Sequence, residues 1–316
     1  MNKPLLSIIT PVYNCYHLMD RLLETLEKQT SDDFEVIFID DCSKDDSYNL
    51  LSKELQNYHF KYKLLQNKKN EGPGNTRNHG ISVSQGDYLT FVDSDDYIST
   101  DFVKNLEKKI KRNKYDVVIF DYLINKAGKI STKKSLPLNY GTVDSKLALA
   151  LSNGMCWGKV FKKQVIIDNS IQFPELMRSE DLAFVKSAIS KCNSIYYLPN
   201  KLYTYMIVST SIMHRADTLN TNNNIKAYRY IEKNIDKGPE LEMIYIREYL
   251  YLIVQILVLQ KKNNNEIKKF IEKCEKEYPT WYKNKYIKYQ PFYLKTLLFL
   301  IKNKCISLLK IIFLVK

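Results

Sequence analysis

Three carboxylates meet where an apolar run stops: Tyr88-Leu-Thr-Phe-Val92 leads straight into Asp93-Ser94-Asp95-Asp96. Like charges this close raise one another's pKa, so a protein that keeps them balances them with a hard cation, an arginine or backbone N–H groups. A cation there points to an anionic ligand, with phosphate the obvious class. The other reading is a polar turn in which these residues, Asp96 among them, cap a helix over Phe102-to-Ile110. Asp40-Asp41-Cys42-Ser43 is a second acidic stop after an apolar run. A carboxylate there can accept a hydrogen bond from the N–H edge of a uracil or thymine ring, or cap the next helix. In Thr10-Pro11-Val12-Tyr13-Asn14, Pro11 stiffens the chain and Tyr13 offers a face for a flat base. Between Asn70 and Gly80, Arg77 lies in a glycine-containing helix start, which suits a diphosphate through charge and free N–H groups. The G-x-G-x-x-G dinucleotide spacing is absent.

The elements that must position these groups alternate. Ser7-to-Val12, Phe34-to-Ile39, Tyr62-to-Leu65, Tyr88-to-Val92 and Asp116-to-Phe120 read as strands. Helical stretches fall between them, with Leu18, Leu22, Leu23 and Leu26 at helical spacing, then Ser47-to-Leu55, Pro73-to-Ser84 and Phe102-to-Ile110. This predicts an α/β, Rossmann-like, mostly parallel sheet flanked by helices, whose ligands lie beyond the carboxyl ends of the strands. The three polar stops all fall on that edge. Beyond about residue 144 the pattern loosens, with a helix over Glu180-to-Ile189 and short strands near Ile195 and Tyr203. From Asp217 long helical patterns dominate.

The chain of 316 residues is 26% charged and 45% hydrophobic, the balance of a folded protein rather than a disordered one. Its 24 Tyr and 13 Phe supply rings for pockets and interfaces. Six cysteines show no C-x-x-C pair and no zinc spacing, so they read as reduced, buried thiols. The first apolar run is too short for a signal peptide, which points to the cytoplasm. The net charge of +13 is concentrated late: from Gln260 to Lys316 there are fourteen Lys against four Glu and no Asp or Arg, a balance of +10.

Ser7-Ile-Ile-Thr-Pro-Val-Tyr-Asn14, Ile39-Asp-Asp-Cys-Ser43, Asn70-Glu-Gly72, Thr76-Arg-Asn78, Gly86-Asp-Tyr88 and Phe91-Val-Asp-Ser-Asp-Asp96 occur in this order. As a set they resemble the family 2 glycosyltransferases with a GT-A fold. The resemblance runs from about residue 5 to 215, through Met155-Cys-Trp157-Gly-Lys159 and Ser179-Glu180-Asp181. Cys42 stands where the family commonly has Gly, Thr76 where Ala is usual, and Ser179 where Gly often precedes the acidic pair. The resemblance implies a catalytic domain over 1–215, with a nucleotide-sugar donor half (1–97) and an acceptor half (98–215), and a helical, basic region over 216–316. It implies that Pro11, Tyr13 and Asp41 hold the base, that Asp93 lies near the ribose and Arg77 near the phosphates. Asp95 would bind Mn²⁺ or Mg²⁺, with His214 as a further ligand or a diphosphate contact. Asp181 would be the general base, supported by Glu180, unless both acids only serve the helix dipole. Trp157 can stack on a sugar ring or anchor a core.

The reaction so implied is an inverting transfer from a nucleotide sugar, first among them a UDP-sugar, to a glycan acceptor, lipid-linked in cell-surface polysaccharide synthesis. A metal-dependent phosphohydrolase is the competing enzyme class; lipid or nucleic-acid binding through the basic tail is the competing binding function. The tail from Tyr293 reads as one amphipathic helix with Lys295, Lys302, Lys310 and Lys316 on one face. With Trp281, Tyr282, Tyr286, Tyr289 and Phe292 nearby, it predicts either peripheral membrane contact or a packed helix with a solvated lysine face. No nucleic-acid partner is expected for the glycosyltransferase, and oligomeric state is not legible.

Overall fold

A computed structural model describes residues 3–176, 178–207 and 221–314. They fall into two compact units, one from segments 1–145 and 153–209, the other from 146–152 and 210–316. The first unit carries the strands: β1 Leu6–Val12, β2 Phe34–Asp40, β3 Tyr62–Gln66, β4 Tyr88–Phe91, β5 Tyr97–Ile98, β6 Val117–Lys126, β7 Lys129–Lys133, β8 Gly141–Val143, β9 Lys159–Lys162 and β10 Ile195–Ile207. Its helices are α1 Asp20–Glu27, α2 Ser47–Glu54, α3 Gly72–Val83, α4 Phe102–Asn113, α6 Lys163–Asp168 and α7 Glu180–Ser190, while α5 Ser145–Leu151 lies almost wholly in the second unit.

The sheet order is β3-β2-β1-β4-β9-β6-β10-β5, with β7 on β6 and β8 on β10. The first four strands are parallel, and every residue of β2 is buried. A strand covered on both faces needs an apolar run rather than alternation, which Phe34-Glu-Val-Ile-Phe-Ile39 supplies except at Glu35, whose buried carboxylate accepts from Ser7 Oγ at 2.7 Å and pairs with Lys63 at 3.3 Å. Val12 of β1 lies opposite Asp40 of β2, and Ile9 opposite Phe91 of β4, so the segments that follow these strands leave the sheet along one edge. Both the α/β architecture and the convergence on that edge follow the sequence reading. β9 enters antiparallel between β4 and β6. The hairpin β6–β7 turns through Ala127 and Gly128, at φ 49° and 84°, the paired positive values of a type I′ turn.

The second unit contains α8 Thr221–Asn234, α9 Pro239–Ile244, a π-helical stretch Tyr245–Tyr251, α10 Leu252–Leu259, α11 Asn264–Glu277, α12 Phe292–Lys302 and α13 Ile306–Leu314. The single terminal helix expected from Tyr293 is therefore two. Lys304 adopts φ 52°, its N–H donates to the Ile301 carbonyl at 3.0 Å, and the Cys305 N–H donates to Leu300 at 2.9 Å. This is a Schellman closure with lysine at the left-handed position glycine usually fills, and the Lys304 ammonium pairs with Glu275 at 2.9 Å. Trp281 and Tyr286, expected at an interface, are buried. Among the described residues no helix is long and apolar enough to cross a membrane.

Candidate active site

The loops after β1 and β2 are laced together. The Asn14 N–H donates to Ser43 Oγ at 2.9 Å, and the Lys44 N–H donates to Asn14 Oδ1 at 2.8 Å. Cys42, at φ 58°, occupies a backbone state that glycine adopts at lower cost. Asp41 is buried, and its carboxylate accepts from Asn67 Nδ2 (2.8 Å) and the N–H groups of Glu71 (2.9 Å) and Gly72 (2.8 Å). Its nearer duty is thus to hold the loop that starts α3. Two of those bonds fall on Oδ1 and one on Oδ2, so Oδ2 keeps acceptor capacity for a ring N–H. Asp40 braces the same corner, accepting from Ser43 and from Gln66 Nε2 at 3.0 Å. Pro11 is half-buried and Tyr13 is 40% exposed, leaving its ring open to solvent. At the start of α3 an open cavity of about 330 Å³ is lined by Lys69, Glu71, Gly74 and Pro174, among others.

Arg77 joins the acids. Its guanidinium donates to Asp93 Oδ1 at 2.8 Å, Asp181 Oδ1 at 3.1 Å and Glu180 Oε1 at 3.3 Å, and its side chain is only 6% exposed. It was expected beside the phosphates; the structure instead gives it three carboxylates, because a buried guanidinium needs anionic partners in fork geometry. Its Nε is buried without a partner among the described residues. α3 and α7 approach closely here, and a Cβ at Gly74 would come within 3.2 Å of Glu180 Cγ. Ser179 precedes the acidic pair at φ 63°, a left-handed entry to α7.

The acids after β4 separate into distinct roles. Asp96 is buried, and its carboxylate accepts from the Tyr203 hydroxyl and from the Met206 N–H at 2.7 Å. It is not the cap of α4, whose N-cap position is Asp101; Asp96 ties the strand end to β10. The Tyr203 hydroxyl in turn accepts from the Asp93 N–H at 3.3 Å. Asp95 is half-buried, and its carboxylate takes no hydrogen bond from another described residue. Burial, then the charge of Asp93, pushes its pKa up to about 6. A half-buried carboxylate with open oxygens fits Mg²⁺ or Mn²⁺, which take a few hard oxygen ligands and complete their shell from diphosphate and water. Among the described residues no group of three His, Cys, Asp or Glu gathers to hold a metal alone. His214, the second expected ligand, lies outside the described residues.

Trp157 is buried, stacked on Tyr203 (4.7 Å between ring centroids, 2°) and Tyr205 (5.5 Å, 14°), with Tyr122 edge-on at 4.9 Å. It anchors the core behind the acids and offers no open face to a sugar, a correction to the stacking role. Sequence reading missed Tyr203 and Lys159 as contributors. Lys159 had two usable signals: it closes the Met155-Cys-Trp157-Gly-Lys159 motif, and it opens the short strand Lys159–Lys162.

Glu180 and Asp181 differ in environment. Glu180 is buried, and desolvation followed by the charge of Asp181 pushes its pKa up to about 7. The Asp181 side chain is 24% exposed, with Oδ1 held by Arg77 and Oδ2 by the Cys156 N–H at 3.4 Å. Each oxygen keeps a lone pair for an incoming hydroxyl. An acid whose folded pKa lies above its unfolded value loses stability as pH rises between the two. The unfolding midpoint should therefore fall as pH goes from about 4.5 to about 7, and Glu180→Gln should flatten that slope. Denaturant titrations at several pH values read this, and an unchanged slope in the variant would remove Glu180 as its source.

A family model described as Glycosyl transferase family 2 matches residues 7–168, just over half of the chain. The poly(ribitol-phosphate) beta-glucosyltransferase of Bacillus spizizenii is 32% identical over 208 residues, covering 64% of this chain and 32% of that protein. The chain spans about a third of the length of such relatives. Among solved structures, Staphylococcus aureus TarS 1-349 in complex with UDP-GlcNAc matches with a TM-score of 0.64 at 23% identity, covering 96% of this chain and 89% of that one. A Pyrobaculum calidifontis mannosyltransferase in complex with GDP-Man and Mn²⁺ matches at TM-score 0.59 and 13% identity, covering 96% and 87%. At these identities the likeness speaks for the GT-A fold. With that fold, the ordered acidic stops and the matched family model, the chain belongs to glycosyl transferase family 2.

Proposed function

We propose that the protein is an inverting transferase that moves a sugar from a UDP-sugar to a hydroxyl of a cell-envelope glycan or polyol-phosphate polymer. The observation that carries this is the Arg77 bridge, which holds Asp93, at the end of the donor-side strand, and Asp181, at the start of α7, on one guanidinium. Tyr13 and the free lone pair of Asp41 Oδ2 suit a uracil ring by stacking and by accepting its N–H. The name of the Bacillus spizizenii relative supports a polyol-phosphate acceptor, and TarS with UDP-GlcNAc supports the donor class.

In this reading Asp181 takes the proton of the acceptor hydroxyl, whose oxygen attacks the anomeric carbon while the nucleoside diphosphate leaves from the opposite face. Arg77 orients Asp181 by donating to its Oδ1 at 3.1 Å, and burial with the neighbouring Asp181 pushes the Glu180 pKa up to about 7. Asp95 would hold the divalent cation, with His214 a further candidate. When bound, such an ion neutralises charge on the departing diphosphate. The test is UDP release from a panel of UDP-glucose, UDP-galactose and UDP-GlcNAc with Mn²⁺ or Mg²⁺, with and without poly(ribitol phosphate) or envelope glycan. Acceptor-dependent UDP release with sugar on the acceptor is expected. Release of phosphate from simple esters instead would favour the phosphohydrolase.

The acceptor would be met at the cytoplasmic membrane face, and the last two helices fit an anionic bilayer. Phe292 (84%), Phe299 (64%) and Ile311 (59%) stand exposed among lysines, which joins apolar insertion to headgroup attraction. Changing all three to serine should abolish flotation with phosphatidylglycerol vesicles without lowering the unfolding midpoint. Undiminished flotation would reject these helices as the contact.

A further inference from the structure

Lys159 takes no part in the transfer as described, yet it is fully buried at the start of β9, between β4 and β6. Burial pushes its pKa down to about 7. A buried ammonium is costly unless it is hydrogen-bonded, and a methionine would fill the same volume without that cost. The ammonium donates to Asn153 Oδ1 at 2.6 Å and to the Met155 carbonyl at 2.8 Å. Both acceptors belong to the loop 153–156 that leads into β9, so the side chain folds back and clamps the segment preceding it.

That loop lies against the first turn of α7. A Cβ on Gly154 would come 2.6 Å from Leu182 Cδ1 and 3.1 Å from its Cα, so the two backbones can approach this closely only at glycine. Two residues on, the Cys156 N–H donates to Asp181 Oδ2 at 3.4 Å. We infer that Lys159 is a positioning residue for the transfer: by clamping loop 153–156 it sets the Gly154–Leu182 contact and the Cys156 N–H that orient Asp181. The inference rests on the reading of Asp181 as base.

Lys159→Met keeps the side-chain volume and removes the clamp; Asn153→Ala removes one of its two bonds and serves if the first variant does not fold. With whichever UDP-sugar of the panel turns over, Lys159→Met should lower kcat by roughly 10- to 100-fold, the cost of a small misplacement of a reacting group. UDP affinity by calorimetry should stay within about threefold, since no donor contact is touched. Asn153→Ala should show the same pattern at smaller size. Hydrogen exchange, which needs no substrate, should quicken in 153–157 and 180–183 in both variants. Wild-type kcat in both variants, or unchanged exchange in both segments, would overturn the clamp. Full activity in Asp181→Asn would overturn the base reading instead, and the exchange result would still decide whether Lys159 holds the loop.

Discussion

Asp181→Asn should lower kcat by about 10²–10⁴-fold, the usual worth of a general base, while UDP affinity stays within about threefold. The separation follows from geometry. The Asp181 carboxylate touches Arg77 and the Cys156 N–H and is partly open to solvent, whereas the groups proposed for the base, Tyr13 and Asp41, belong to the loops after β1 and β2. An asparagine can still accept from Arg77 through its carbonyl, so the fold should persist, but it has no affinity for a proton. A second effect accompanies the first. The charge of Asp181 is the second cause of the raised Glu180 pKa, so Glu180 should titrate lower in the variant, and carboxyl NMR resonances would show it. Full retained transfer would remove Asp181 from catalysis, and a parallel loss of UDP affinity would place it on the donor instead.

Arg77→Met should have the largest effect on stability. Three carboxylates share this guanidinium at 3.3 Å or less, and truncating one partner of a buried ion cluster typically costs about 3–5 kcal/mol. The sign of its pH dependence is fixed. Without the cation, Asp93 and Glu180 bind protons more tightly in the folded state, so stability falls as pH rises above the unfolded carboxylate range. The deficit should therefore be greater at pH 8 than at pH 5 in denaturant titrations. Arg77→Lys should recover only part of it, because an ammonium is a point charge and cannot reproduce a fork that serves three acids. A variant with wild-type stability at pH 8 but weakened UDP binding would return Arg77 to the phosphates.

The catalytic-unit strands and their order of appearance were legible because buried parallel strands require predominantly apolar runs, and residues 7–12, 34–39 and 88–92 are such runs. Helices α1 and α4 were legible from their leucine, valine and isoleucine spacing. The acidic stops were legible as chemistry because strand ends are where a parallel sheet exposes its ligands. β9 was not, since a four-residue strand inserted antiparallel depends on partners distant in sequence. Nor was the break at Lys304, where a left-handed lysine does the work expected of glycine and is held by Glu275.

The sequence by itself determined which groups are available, namely Asp41, Asp93, Asp95, Arg77 and the pair Glu180 and Asp181, and on which edge the first three emerge. Only the tertiary structure decided what each is free to do. Asp96 is spent on Tyr203 and Met206, Trp157 on the tyrosines of β10, and Arg77 on three acids, while Asp95 and Asp181 keep lone pairs open. Local sequence carries propensity and charge, but the partner of a buried polar group is chosen by whatever chain, often a hundred residues away, is brought within hydrogen-bond distance.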